Sequence, residues 1–508
     1  MHRLLRIALF TLSTFPFISI AEQPNIILIM VDDMGWSDIG CYGSEIDTPH
    51  IDQLAAEGMR FTQFYNNAKC TTTRASILTG LWPRREGDLL KTNMVTFGEV
   101  MQKAGYATGL SGKWHLGHSE TTHPYKRGFQ EYYGLLDGGS NFFNPVQPDP
   151  DYKGGRTRTF GHNDRYIHSF PKDYYATDAF TDHAIETISG YVKEDRDRPF
   201  IHHITYTAPH YPLHAKPKDI AKYRGKFMMG WEEMRKQRYQ RQIEMGLIDP
   251  ERYPLSETDS DSYDWETADQ DFEDHRMAVY AAMMDSVDQN IGRLLQMLKD
   301  LKVYDNTLIC FLSDNGGCAE EPGGRDPSLR NPGPVDDYVA LGPAWGWAQN
   351  APFRRHKSWL QEGGANTPMI AWWPGKIEAD TLTETPGHII DFMATFIDIG
   401  KATYPKKHNG EKIIPLEGKS LMPIFEGKER QGHDYYAWEW SGNKAYREGD
   451  TKAVWDKITN EWELFDLSID RTETNNLAET HPERLKQLTT SWYEWAKKTG
   501  AKTSAKKK

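Results

Sequence analysis

The 508-residue sequence predicts an α/β protein: a large, doubly wound, mostly parallel sheet flanked by helices, then a smaller C-terminal antiparallel sheet packed by a terminal helix. Three observations point there. Apolar β-rich runs such as Asn25–Val31 alternate with helical periodicities through about residue 400, as strands covered on both faces require. Polar clusters stand immediately after those runs, where open α/β sheets gather their ligands. From about residue 420 the texture changes to short aromatic-rich strands and polar turns. The expected division is a signal peptide over 1–21, a large α/β domain over 22–420 with a charged insertion at about 216–274, an α+β subdomain over 421–498, and a Lys-rich tail over 499–508.

Arg3 and Arg6 precede the apolar stretch Ile7–Ile20, which ends in Ser19-Ile20-Ala21, the charged start, short apolar centre and small-residue cut site of a secretory signal. Asn25–Val31 then reads as a central strand that stops at Asp32-Asp33-Met34-Gly35, either a solvated turn or two hard oxygen ligands at a strand end. Thr48 should cap a helix carrying Pro49 in its first turn and Ile51, Leu54 and Ala55 on its apolar face. In Lys69-Cys70-Thr71-Thr72-Thr73-Arg74 the threonines suit a cap and first turn better than a helix interior, which places Cys70 at a helix N-terminus. Arg74 lies one turn on, and Gly80 ends the helix. Such a cysteine is either a buried structural thiol or a reactive group beside a fixed cation.

Thr96 and Glu99 form a capping box, and a short strand over Tyr106–Leu110 delivers Gly112-Lys113-Trp114-His115-Leu116-Gly117, in which extended chain would point Lys113 and His115 the same way. A helix through Ala184, Ile188 and Val192 leads to the strand Phe200–Tyr206 and to Pro209-His210-Tyr211-Pro212, while His202, His203 and His214 read as structural or surface residues. The charged insertion, with Arg235, Arg238 and Arg241 and then an acidic run over 259–274, reads as a solvated face. The longest apolar face runs from Met277 to Leu298, followed by the strand Thr307–Leu312 and by Ser313-Asp314-Asn315-Gly316-Gly317, a turn or a second ligand pair. A long Gly/Pro-rich loop over 322–349 precedes Arg354-Arg355-His356-Lys357, in which the arginines read as a charged rim.

Hydrophobic content of 38% is ordinary for a globular chain, and a net charge of −12 argues against a nucleic-acid or anionic-membrane binder. No run after residue 21 is long and apolar enough for a transmembrane helix. Four cysteines cannot build a disulfide scaffold, and a Cys41–Cys318 bond or free thiols are both open. The absence of Asn-x-Ser/Thr sequons favours a bacterial source.

Cys70, Arg74 and Thr79-Gly80, together with the Asp32-Asp33, Lys113-x-His115, Pro209-His210-x-Pro212, Asp314-Asn315 and Lys357 segments, resemble the formylglycine-dependent sulfatases of the alkaline phosphatase superfamily. The resemblance covers nearly all of the chain after residue 21, with one departure: Thr72 stands where that signature usually carries Pro or Ala. It implies that a separate maturing enzyme converts Cys70 to formylglycine. It further implies that one Ca²⁺ is held by Asp32, Asp33, Asp314, Asn315 and the matured Cys70, and that Arg74, Lys113, His115, His210 and Lys357 act on the sulfate of a sulfated carbohydrate or aryl sulfate. An exported, periplasmic or secreted location follows from the signal. A phosphodiesterase or phosphonate hydrolase of the same superfamily, or an unmatured binder of sulfated glycans, are the alternatives.

Overall fold

A computed structural model describes residues 23–83, 89–258 and 264–503. The signal peptide read over 1–21, the end of the Lys-rich tail and part of the acidic run (259–263) lie outside the described residues.

Asn25–Asp32 is the centre of a ten-stranded sheet. Thr307–Ser313 lies on one side of it; Phe200–Pro209, Ala107–Gly112 and Glu131–Leu135 lie in turn on the other, all parallel. Beyond Thr307–Ser313 the sheet continues through the antiparallel Met369–Trp372, then Met59–Phe61 and Thr381–Thr383; the hairpin Phe160–His162 and Arg165–Ile167 closes the far edge. The central run is apolar throughout because both faces are covered. Ile27, Ile29 and Val31 enter one core with the helices Ala176–Glu194 and Gln270–Asp300, whereas Ile26, Leu28 and Met30 enter another with the helices Cys70–Thr79, Phe97–Lys103 and Asp391–Ile399. The Thr96–Glu99 capping box forms. Thr48 does not cap Pro49–Ala56 through its side chain; its hydroxyl donates to Asp52 and accepts the Gly40 N–H instead.

The charged insertion departs from its reading as a solvated face. In the helix Gly230–Glu244, Arg235 and Arg238 are buried, and Arg238 pairs with Asp38 and with Glu45 at 2.7 Å. Its acidic partners lie far back in the sequence, so local charge density could not show them. Arg354 and Arg355 are likewise no rim, since they reach Glu463 and Asp456 of the C-terminal sheet. His202, His203 and His214 are fully buried, and all four cysteines are free thiols, so no Cys41–Cys318 bond forms.

Tyr436–Trp440, Asn443–Glu448, Thr451–Asp456 and Glu461–Asp466 make a four-stranded antiparallel sheet, covered by the helix Pro482–Thr499 through Leu488, Trp492 and Trp495. Tyr65, Leu360 and Ile390 of the large sheet's side share that core. A buried charge network locks the junction: Lys452 Nζ lies 2.8 Å from Glu362 and 2.9 Å from Glu473, and Arg471 lies 2.7 Å from Glu362, all fully buried. Removing the one lysine leaves two carboxylates in a dry site. Lys452→Met should therefore cost about 3–5 kcal/mol, read as a lowered urea midpoint of the C-terminal unit's unfolding; a loss below about 1 kcal/mol, the worth of an exposed pair, contradicts this.

Candidate active site

Cys70 opens the helix Cys70–Thr79 behind an extended Lys69, and Gly80 closes it at φ 69°, donating to Ser76 O. The threonine hydroxyls tie the first turn to the chain that leads into it and leave its N–H groups free. Thr72 Oγ1 donates to Lys69 O at 3.0 Å, and Thr73 Oγ1 accepts the Asn67 N–H at 3.0 Å. Cys70 is 2% exposed. Arg74, equally buried, donates through Nε and Nη2 to Asp314 Oδ2 (3.2 and 2.9 Å) and through Nη1 to Lys113 O (2.7 Å).

The acidic residues are brought together by strand register. Val31 pairs with Ser313, so Asp32-Asp33 and Asp314-Asn315 leave neighbouring parallel strands side by side. Asp33 takes φ 71° and donates its N–H to Asp314 Oδ1. Asn315 Nδ2 donates to Asp33 Oδ1 at 2.7 Å. Burial alone would raise the Asp32 and Asp33 carboxyls, yet Lys113 and His210 beside Asp32, and Lys357 and His210 beside Asp33, hold both below the usual range. Asp314 goes the other way, pushed up to about 7 by burial and by the neighbouring Asp32. Asp32 Oδ1 and Asn315 Oδ1 are buried without a hydrogen-bond partner among the described residues. Four hard-oxygen side chains with two such orphaned oxygens fit a Ca²⁺-type cation; Zn²⁺ favours nitrogen and sulfur.

Gly112 delivers Lys113: at φ 122° a Cβ there would meet Thr205 O at 2.0 Å, so only glycine lets the chain pass. Lys113 Nζ donates to Asp32 Oδ2. His115 has φ 60°, so the extended-chain parity expected for Lys113 and His115 breaks. The imidazole nonetheless lies in the field of Lys113, Arg74 and His210, and its Nδ1 has no partner among the described residues. Burial and then those cations push His115 well below its ordinary pKa. Burial likewise lowers His210 to about 4 against the pull of Asp33, whose Oδ2 is 3.6 Å from His210 Nε2. Both rings are neutral at pH 7. Lys357 is the reverse case, because Asp33 at 2.7 Å outweighs its burial and raises it well above the ordinary lysine value.

The residues assigned to the site by the resemblance, Asp32, Asp33, Cys70, Arg74, Lys113, His115, His210, Asp314, Asn315 and Lys357, therefore fall in one cluster at the C-terminal end of the parallel strands. The structure adds Lys69, Tyr211 and Glu320, which sequence reasoning missed. Glu320 lies 3.3 Å from Lys69 and 3.7 Å from Lys357, and Tyr211 donates its hydroxyl to it. Lys69 had a signal, its place directly before Cys70; Glu320, between Gly317 and the long loop, had none. The cluster can hold a divalent cation, grip an anion with Arg74, Lys113 and Lys357, and accept a proton at a neutral imidazole.

A family model with the description Sulfatase matches residues 24–402, and one for N-sulphoglucosamine sulphohydrolase, C-terminal, matches 353–494. An uncharacterized sulfatase of Schizosaccharomyces pombe is 33% identical, covering 95% of each chain. The arylsulfatase of Klebsiella aerogenes is 32% identical over 80% of this chain and 93% of its own. Among solved structures, Ps i-CgsB in complex with k-i-k-neocarrahexaose superimposes with a TM-score of 0.68 at 28% identity, covering 93% of both chains. The chain belongs to the sulfatase family, within the alkaline phosphatase superfamily, and is a sulfatase.

Proposed function

We propose that this sulfatase removes sulfate from a sulfated carbohydrate or aryl sulfate, with a formylglycine made from Cys70 as nucleophile and one Ca²⁺ held by Asp32, Asp33, Asp314, Asn315 and the matured Cys70. The observation that carries the reading is the meeting of a buried helix-N-terminal cysteine with a hard-oxygen cluster that keeps two oxygens unpartnered. The relative named arylsulfatase and the carbohydrate bound by Ps i-CgsB support the two substrate classes. The reading assigns the chemistry to residues 22–420, gives 421–498 a supporting role, and takes the maturing enzyme as a required partner. No helix among the described residues is long and apolar enough to cross a membrane, and export through the 1–21 signal to the periplasm or exterior belongs to the reading.

Ca²⁺ held by Asp32, Asp33, Asp314 and Asn315 would supply positive charge to the site, and a hydrated aldehyde made from Cys70 would supply one hydroxyl to attack sulfur and a second whose deprotonation releases the sulfate, a route a thiol lacks. Arg74 and Lys113 fix the carboxylates and stabilise charge developing on the sulfuryl oxygens. His115, neutral at pH 7, takes the proton of the second hydroxyl. Lys357 keeps its proton and can pass it to the leaving alcohol, while neutral His210 spends its one N–H on Tyr211 O and so meets the sulfate as a donor only when it takes up a second proton.

Cys70→Ala should lower turnover of 4-nitrophenyl sulfate about 10³-fold or more with unchanged circular dichroism. Asp314→Ala should do the same and lose the Ca²⁺-dependent rise in Tm. Undiminished turnover in Cys70→Ala, or faster cleavage of the matched phosphate ester by the native protein, sinks the reading. The sign of the His115 shift gives a second test. A lowered pKa keeps the base neutral as pH falls, so the acidic limb of kcat should lie below pH 6.5, the ring's ordinary value; a limb at or above that value contradicts His115 as the base.

A further inference from the structure

We propose a second metal site, for Zn²⁺, formed by Glu131, His162 and His183 at the hairpin edge of the sheet, apart from the Cys70 cluster. Each comes from a different element: Glu131 opens the strand Glu131–Leu135, His162 closes Phe160–His162, and His183 projects from the helix Ala176–Glu194. One ligand atom from each lies within 4.8 Å of the other two. Glu131–Leu135 runs parallel to Ala107–Gly112, whose far end delivers Lys113, so Glu131 stands at the N-terminal side of the sheet, away from the sulfate chemistry.

The side chains behind the three ligands are arranged as outer partners of a metal site are. His183 Nδ1 is 2.7 Å from Ser111 Oγ, which is itself 2.8 Å from His202 Nε2. That leaves His183 Nε2, which has only Thr187 Oγ1 at 3.4 Å, as the free ring nitrogen. Asn163 Nδ2 donates to Glu131 Oε2 at 3.0 Å and leaves the other oxygen for an ion. His162 is exposed, which gives the ion a path in and water a fourth position. Two imidazoles and one carboxylate suit Zn²⁺, whereas Ca²⁺ and Mg²⁺ take oxygen sets. The ion would add a bond between the outermost hairpin of the sheet and the helix beside it, where the His162 and His183 rings already meet edge to face at 5.6 Å.

The test uses tag-free, full-length protein with Ca²⁺ in excess, titrated calorimetrically with Zn²⁺ and followed by visible absorption with Co²⁺. One equivalent of Zn²⁺ should bind, raise Tm, and give with Co²⁺ the visible bands of a low-coordinate site. His162→Ala, at an exposed position that folding tolerates, should weaken binding about tenfold or more, and Glu131→Gln should do likewise. No Zn²⁺ bound beyond Ca²⁺, or the same stoichiometry and affinity in both variants, overturns the proposal. Neither result depends on maturation of Cys70, so the sulfatase mechanism stands or falls separately.

Discussion

The structure turns on the register between Asn25–Asp32 and Thr307–Ser313, which sets Asp32, Asp33 and Asp314 together in a place that water hardly reaches. Three carboxylates so confined are mutually repulsive and poorly solvated, and the fold answers them with Arg74, Lys113 and Lys357. With Asp314 ionised, three negative and three positive groups sum to zero; Asp314, pushed up to about 7, tips that sum towards positive whenever it holds a proton, and the neutral imidazoles of His115 and His210 leave it unchanged. A divalent cation added to a balanced set makes the pocket net positive. That is what an enzyme of sulfate esters needs, because its substrate is an anion and its reaction gathers further charge on oxygen.

Much of the supporting structure serves the two chain segments that flank this cluster. The segment entering the Cys70 helix is held by the C-terminal sheet: Arg447 donates to the Tyr65 hydroxyl at 2.6 Å, and Trp438 Nε1 to Asn66 O at 2.7 Å. The segment carrying Lys357 is held by the same sheet, through Asn443 Nδ2 to Ser358 O at 2.9 Å, and the two segments join where Ser358 N–H donates to Ala68 O. The buried Lys452 network sits under this junction. A small antiparallel sheet with no residue in the cluster thus fixes the spacing of two groups that are in it.

What the sequence disclosed was what local chemistry controls. The Asn25–Val31 run, the Thr96–Glu99 box, the apolar face of Gln270–Asp300 and the threonine-rich first turn at Cys70 each carry their signal within a few residues. The site was legible because strand ends in an open α/β sheet converge, so polar clusters after apolar runs could be assigned to one place. Arg238 and Arg355 were misread for the opposite reason, since their acidic partners Asp38 and Asp456 are distant in sequence and a charge looks solvated until its partner is seen. The left-handed backbone at His115 and the Glu320 bridge between Lys69 and Lys357 depend on tertiary packing and left no periodic trace. Glu131, His162 and His183 were invisible as a set because three separate elements bring them together.

The central claim is that the nucleophile is not cysteine but the aldehyde derived from it, and Thr72, in place of the more usual Pro or Ala, is the one departure from the signature that directs that conversion. The most direct measurement is the mass of the tryptic peptide bearing Cys70, taken from protein purified from its own host. The account predicts a mass about 18 units below the cysteine form, the change from thiol to the aldehyde that covalent catalysis here requires. An unshifted mass in protein that still cleaves sulfate esters would contradict it.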